Sequence, residues 1–280
     1  MARARLQLGF VRAAIVTASV VVAASLHPAG QAPDPAAMLR AARDAMGGDA
    51  TVRALKGLRL TGTEWSSQFV RGGYTLDTEE GYELRIALPD RFLEISIFPS
   101  PLSSEIRKGF VGDRMISSMG GRSTDPQSNA TYIRKRAAEH LLLLLARTES
   151  WSGLTFEATG PNVLQARGLD GYAARLEFDP GTHLLSKLIY RQRRQVRTPN
   201  TILRRGQPAA PRGASGGGAG GGSSSDLPEV EITVTLNDRR QVGGILLPHR
   251  ITTTAQNIVL WELRFESIVV NPTFTEADFR

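Results

Sequence analysis

The run Glu229-Val-Glu-Ile-Thr-Val-Thr-Leu236 alternates without a break, with Val230, Ile232, Val234 and Leu236 on one side and Glu229, Glu231, Thr233 and Thr235 on the other. A period of two over eight residues requires a strand with one dry face and one wet face. After a turn expected at Asn237-Asp238 and the pair Gly243-Gly244 comes a second β-rich stretch, 245–254. A third, 258–270, places Val259, Trp261, Leu263 and Phe265 on one face. Successive antiparallel strands with a shared apolar face need something to cover it.

The same period recurs upstream. Leu58 and Leu60 alternate from Gly57, with Trp65 in the same strand. Stretches 69–76 and 80–88 follow as a pair, the second with Tyr82, Leu84, Ile86 and Leu88 aligned; 91–98 follows Pro89-Asp90, with Leu93, Ile95 and Ile97 aligned. Residues 99–108 and 120–129 read as loops, and Gly112-Asp113 as a tight turn between two short strands. Further strands are expected over 154–158, 163–166, 172–178 and 184–192, the last two joined by Asp179-Pro-Gly-Thr182.

Two segments carry helical spacing. Met38, Leu39, Ala42 and Met46 recur with period 3.6 before Gly47-Gly48, a helix-stop signal. Residues 130–148 form the second helix, capped by Ser128 or Asn129, with five consecutive leucines at 141–145. Five in a row spread around a helix, so this helix is either buried on two sides or partly roofs a cavity. The expected fold class is α+β: a strongly curved antiparallel sheet, a half-barrel of roughly 10–11 strands, with helices covering the concave face.

Residues 1–32 read as a secretory signal. Arg3, Arg5 and Arg12 precede the uncharged run 13–26, which at 14 residues is shorter than the roughly 20 needed to span a bilayer. Cleavage is expected after Ser25 or Ala32, the alternative being a retained anchor. Residues 33–280 then form one domain, exported to a periplasm. The net charge of +7 has a local origin. Between Arg191 and Ser225 lie seven arginines and no acid, and without them the exported chain is mildly acidic. This basic segment grades into a Gly/Ser run, so 193–225 is expected to be a disordered insertion within a hairpin. The stretch from Arg191 to Arg212 could touch an anionic membrane surface. No aromatics interleave its arginines, which argues against nucleic acid.

The chemistry-bearing residues are sparse. There is no cysteine, hence no disulfide, thiolate zinc site or cysteine nucleophile. His140, His183 and His249 fall in a helix, a turn and a strand without metal-ligand spacing, so no metal site is assigned. Ser186 and Ser267 lack the flanking glycines of a nucleophile elbow. Asp77, Glu79 and Glu80 read as a solvated hairpin tip. No catalytic residue and no cofactor are assigned, and a monomer is expected.

The order of signal, amphipathic helix ending in Gly-Gly, long strands, leucine-rich helix and further strands resembles that of periplasmic outer-membrane lipoprotein carrier and sorting proteins, the LolA/LolB-like family. Val242-Gly-Gly-Ile-Leu-Leu-Pro-His-Arg-Ile251 is similar to their G-[IV]-x-L-P strand. Phe265-Glu-Ser-Ile-Val-Val-Asn-Pro-Thr-Phe-Thr-Glu-Ala-Asp-Phe279 is similar to their closing strand and tail, which ends in a buried Phe. The Arg/Gly insertion is foreign to the compact carriers, and no family residue role is transferred. The resemblance implies an unclosed half-barrel whose apolar groove holds a lipid or the acyl chain of a lipoprotein. The groove candidates are Trp65, Leu84, Ile86, Leu141, Leu144, Leu145, Trp261, Leu263 and Phe265. The alternative is an envelope interaction module whose core is filled by its own side chains and whose basic loop meets a partner or membrane.

Overall fold

Asp34 starts the first helix, its carboxylate accepting from the amide of Ala36, with Pro35 in the first turn where a missing N–H costs nothing. α1 (Pro35–Met46) buries Leu39, Ala42, Arg43 and Met46 along one stripe and ends at Gly47, whose φ is +132°. A Cβ on Gly47 would lie 2.1 Å from the carbonyl oxygen of Gly244, so the helix end is seated directly on a hairpin turn of the sheet. α2 (Asp49–Arg53) follows, tied back by an Arg43–Asp49 ion pair. The computed structural model describes residues 33–70, 74–99, 104–124, 130–145, 153–168, 172–193 and 228–280.

Among the described residues, thirteen strands form one antiparallel sheet. The first six are β1 (Gly57–Val70), β2 (Tyr74–Ala87), β3 (Arg91–Ile97), β4 (Glu105–Val111), β5 (Arg114–Met119) and β6 (Arg122–Ser123). After α3 (Ala130–Leu144) come β7 (Thr155–Gly160), β8 (Val163–Gly168), β9 (Tyr172–Phe178), β10 (Leu185–Arg193), β11 (Glu229–Val242), β12 (Ile245–Ala255) and β13 (Ile258–Val270). The spatial order is β6-β5-β4-β3-β2-β1-β13-β12-β11-β10-β9-β8-β7. Every strand lies beside its sequence neighbour except at one place: β6 and β7 are the two free edges, and α3 lies between them in the chain. The first and last strands pair instead, Leu58 opposite Val270 and Leu60 opposite Ile268. The sheet is therefore unclosed and curves around the helices. One hydrophobic cluster joins α1, α2 and α3 to strands of both halves, from Phe110 on β4 to Leu164 on β8.

The convex face carries a smaller core. Leu93 and Ile95 point away from the helices and pack with Ile116 and Phe279, the latter from a 3-10 turn at Glu276–Phe279. Arg59 and Arg85 bind Asp278 through its carboxylate and carbonyl, and Arg107 binds the carbonyl of Arg280. The C-terminal tail is thus fastened across β1–β4. This second cover explains why four successive residues of β3, 92–95, are all buried.

Several boundaries differ from the sequence expectations. Thirteen strands replace ten or eleven, partly because the two-residue β6 falls in the expected loop 120–129. β4 starts at Glu105 within the expected loop 99–108, since Glu105 and Arg107 neutralise each other on its outer face. The expected strand 69–76 is the end of β1 and the start of β2, which meet at Val70 and Tyr74 across Arg71-Gly72-Gly73. Asn237-Asp238 does not turn the chain: β11 continues to Val242, and the reversal occurs at Gly243-Gly244, where φ is +57° and +83°. α3 ends at Leu144, with Leu145 at φ +49°. The expected helical end 146–148 and caps 128–129 lie outside the described residues, as do the signal 1–32 and the insertion beyond Arg193. No helix among the described residues is long and apolar enough to cross a membrane.

Asn271 terminates β13 at φ +52°, and its side-chain oxygen accepts from the amides of Lys56 (2.7 Å) and Gly57 (3.3 Å). Its own amide donates to Gly57 at 2.9 Å, clasping the start of β1. Asn271→Ala removes the acceptor and puts a Cβ residue without a compensating side-chain bond at positive φ. The expected cost is about 1–2 kcal/mol, read as a lower urea midpoint at unchanged m-value. An unaltered midpoint would show that the clasp adds nothing.

Candidate functional site

α3 divides into two halves with different surroundings. All five leucines at 141–145 are under 5% exposed. The helix is buried on all sides there, its leucines joined to the main hydrophobic cluster. In the preceding two turns polar residues are buried beside Ile133 and Ala137. Arg136, Glu139 and His140, spaced i, i+3, i+4, face the sheet together.

The sheet meets them with polar groups of its own. On β1 and β2 the even-numbered residues Leu60, Gly62 and Glu64 oppose Leu84, Tyr82 and Glu80, so Glu64 and Glu80 share the concave face with the core leucines. Glu94 of β3 lies opposite Leu84. Tyr82 donates its hydroxyl to Glu94 at 2.8 Å and lies 3.4 Å from His140 Nε2. The Arg136 guanidinium donates to Glu94 (3.3 Å) and Glu139 (2.8 Å) and stands 5.8 Å from the centre of the Trp261 ring. Glu139 also bonds to Tyr190. A single arginine is shared by two buried carboxylates and stacks on an indole.

Burial sets the protonation of this cluster. Desolvation pushes Glu64 up to about 7, against the opposing pull of Arg136 and with help from Glu94 and Glu80. Glu139 is raised by burial although Arg136 pulls it down. Burial alone would lower Arg136, but Glu139 and Glu94 outweigh it and keep the guanidinium charged. His140 is held well below its ordinary range, first by burial and then by Arg136, so it is neutral.

Beside this cluster lies a cavity of about 1050 Å³. Its wall includes Tyr132, Lys135, Arg136 and Glu139 of α3, together with Tyr172, Tyr190 and Trp261 of the sheet. Arg175, Arg191, Arg193, Glu229 and Glu231 continue it around the rim where β9 begins, β10 ends and β11 begins. Tyr172 and Tyr190 have ring centres 6.1 Å apart, and burial raises both phenols well above their usual range. Aromatic faces thus meet charges of both signs at one open end of the half-barrel.

Of the nine groove candidates, Trp261 lines this cavity. Leu84, Ile86, Leu141, Leu144, Leu145, Leu263 and Phe265 lie in the packed main core. Trp65 pairs with Glu79 and Glu262 and so has the opposite parity to Leu60 and Glu64, on the convex face. Glu262 is buried there between Arg250 and Arg264. The sequence reading assigned no site role to Tyr132, Arg136, Glu139, Tyr172 or Tyr190. A signal was present: Glu64, Glu80 and Glu94 occupy inward positions of otherwise apolar strands, which requires a buried partner charge.

No protein-family model matches the chain, and no curated protein sequence matches it. Among solved structures it is similar to one described as an outer membrane lipoprotein-sorting protein domain from Vibrio parahaemolyticus, at 12% identity and TM-score 0.43, over 88% of this chain and 97% of that one. It is similar to a LolA superfamily protein from Nitrosomonas europaea at 10% identity and TM-score 0.45, covering 89% and 98%. A DUF1329 family protein from Desulfovibrio piger matches at 10% identity and TM-score 0.40, covering 89% and 98%.

Proposed function

We propose that this protein is an exported, non-enzymatic binding protein that holds an amphiphile, an acyl chain with its polar head, in the cavity at the rim of the half-barrel. The observation that carries the reading is the cavity itself. Its volume of about 1050 Å³ stands at the top of the roughly 300–1,000 Å³ range of small-molecule sites. Trp261, Tyr172 and Tyr190 offer faces for a chain, while Lys135, Arg136 and Glu139 offer partners for a head group. Because the leucines of α3 fill the inner half themselves, the chain lies in the outer half. Each buried methylene supplies about 0.8 kcal/mol, so eight supply about 6 kcal/mol before the cost of association.

The cargo in this reading is a free lipid or an acylated lipoprotein, and the compartment is the periplasm. Native mass spectrometry of the protein from its own cells, followed by organic extraction, tests it: a stoichiometric lipid or acylated peptide is the expected result. Titrating the delipidated protein with a fatty acid or lysophospholipid should change its tryptophan emission. Trp261→Phe should abolish most of that change and Trp65→Phe should leave it. A clean apo mass with no uptake would favour the second reading, an envelope interaction module, for which the complete packing of Leu141–Leu145 is the supporting observation.

A further inference from the structure

Two donors on the cavity wall have no partner among the described residues. Tyr172 lines the cavity at 6% exposure, and its buried hydroxyl makes no hydrogen bond. Burial raises this phenol well above its usual range, so the oxygen keeps its proton and can donate. A buried hydroxyl left unpaired is costly, and a bound acceptor would relieve that cost. Lys135 lines the same cavity and forms no ion pair with a described residue.

The two groups belong to one wall. Tyr132, Lys135, Arg136 and Glu139 follow i, i+3, i+4, i+7 spacing, a single stripe of α3. Tyr172 shares strand parity with the buried Ala174 and Leu176 and so faces the helices. Its ring stands 6.1 Å from that of Tyr190, whose hydroxyl bonds to Glu139. Lys135 is one turn before Glu139, with about 5–6 Å between their Cβ atoms. Glu139 thus neighbours both donors.

The other charges of this wall are engaged. Glu94 accepts from Tyr82 and Arg136, and Glu139 from Arg136 and Tyr190, so neither carboxylate needs a cation from a ligand. Arg136 is held between the two. Arg175 and Arg191 lie on the other face of their strands and pair with Glu177 at 3.0 Å and Glu229 at 3.9 Å. What the inner wall lacks is one acceptor carrying one negative charge.

We infer that the cavity selects amphiphiles whose head is a singly charged oxyanion, a carboxylate or a phosphodiester. The Tyr172 hydroxyl donates to a head oxygen and the Lys135 ammonium pairs with the charge, while Tyr190 and Trp261 are left to the chain. The inference rests on the binding role proposed above and adds the chemistry of the head. A cationic head would meet Lys135 and Arg136, and a neutral one would leave Lys135 unpaired.

Calorimetric titration of the delipidated protein with four probes of one chain length tests it: dodecanoate, lauroyl-lysophosphatidylglycerol, monolaurin and dodecyltrimethylammonium. Both anions should bind at least about tenfold more tightly than neutral monolaurin, and the ammonium more weakly than monolaurin. The tighter anion identifies the head as carboxylate or phosphodiester. Lys135→Met should bring the dodecanoate-to-monolaurin affinity ratio down to about one. Tyr172→Phe should weaken dodecanoate by about fivefold to tenfold, yet leave the urea midpoint of the ligand-free protein equal to the parent's or higher. A lower midpoint would show the hydroxyl bonded within the protein and would overturn its part. Equal affinities for the anions and monolaurin, or an unchanged ratio in Lys135→Met, would overturn the head-group assignment and leave the binding role standing. Failure to take up any of the four would remove that role, and this inference with it.

Discussion

Replacing Arg136 by methionine should destabilise the protein by about 3–5 kcal/mol at pH 8, the range found when one partner of a buried ion pair is deleted. The cause is not the lost attraction alone. Glu94 and Glu139 are left buried without the cation they share, and Trp261 loses the guanidinium above its ring. Protonation relieves stranded carboxylates, so the loss should be smaller at pH 5 than at pH 8. A triple variant, Arg136→Met with Glu94→Gln and Glu139→Gln, should recover most of the stability, because the charges that needed pairing are gone. Urea unfolding at the two pH values separates these outcomes. A single variant within 1 kcal/mol of the parent, or a triple no better than the single, would remove the cluster from any role in fastening α3 to the sheet.

Glu64→Gln should act in the opposite direction. Glu64 titrates at about 7 in the folded protein against 4.5 for the ordinary group, because burial disfavours its charge. Its raised folded value means the native state holds this proton more tightly than the unfolded chain. The associated stability is present below about pH 4.5 and is lost as pH rises toward 7. Above pH 7 the folded protein carries a buried carboxylate at a cost of about 2–3 kcal/mol. Glutamine keeps the shape and removes that cost. The variant should match the parent near pH 4 and exceed it by about 2 kcal/mol at pH 8, with a flatter stability profile between. Identical profiles for the two proteins would show that Glu64 is solvated.

The sheet was legible in the sequence because its signal is local. Alternation at 229–236, 80–88 and 91–97 reports which residues share a face without knowledge of the neighbouring strand. The pairing of β1 with β13 was not legible, since it joins residues about two hundred positions apart. The parity of Trp65 follows from a simple count from Leu60, but which parity faces the helices depends on that distant partner. The cavity was harder still. Its walls come from the first half of α3 and from β8–β11 and β13, and single segments give those residues a bland reading as surface. Leucines drew attention toward the half of the helix that is buried in the main core.

Pairing between the first and last strands has a consequence for synthesis and export. The six strands before α3 and the seven after it can each begin as a meander of local hairpins, but the middle of the sheet lacks its final strand until residue 270 is available. Until then β1 offers an open edge to any other extended chain. The nascent protein is therefore expected to stay incompetent to fold until nearly all of it has been translated or translocated. Contacts of such long sequence separation make its final step slow. Its maturation is governed by completion of the chain rather than by folding from the N-terminus onward.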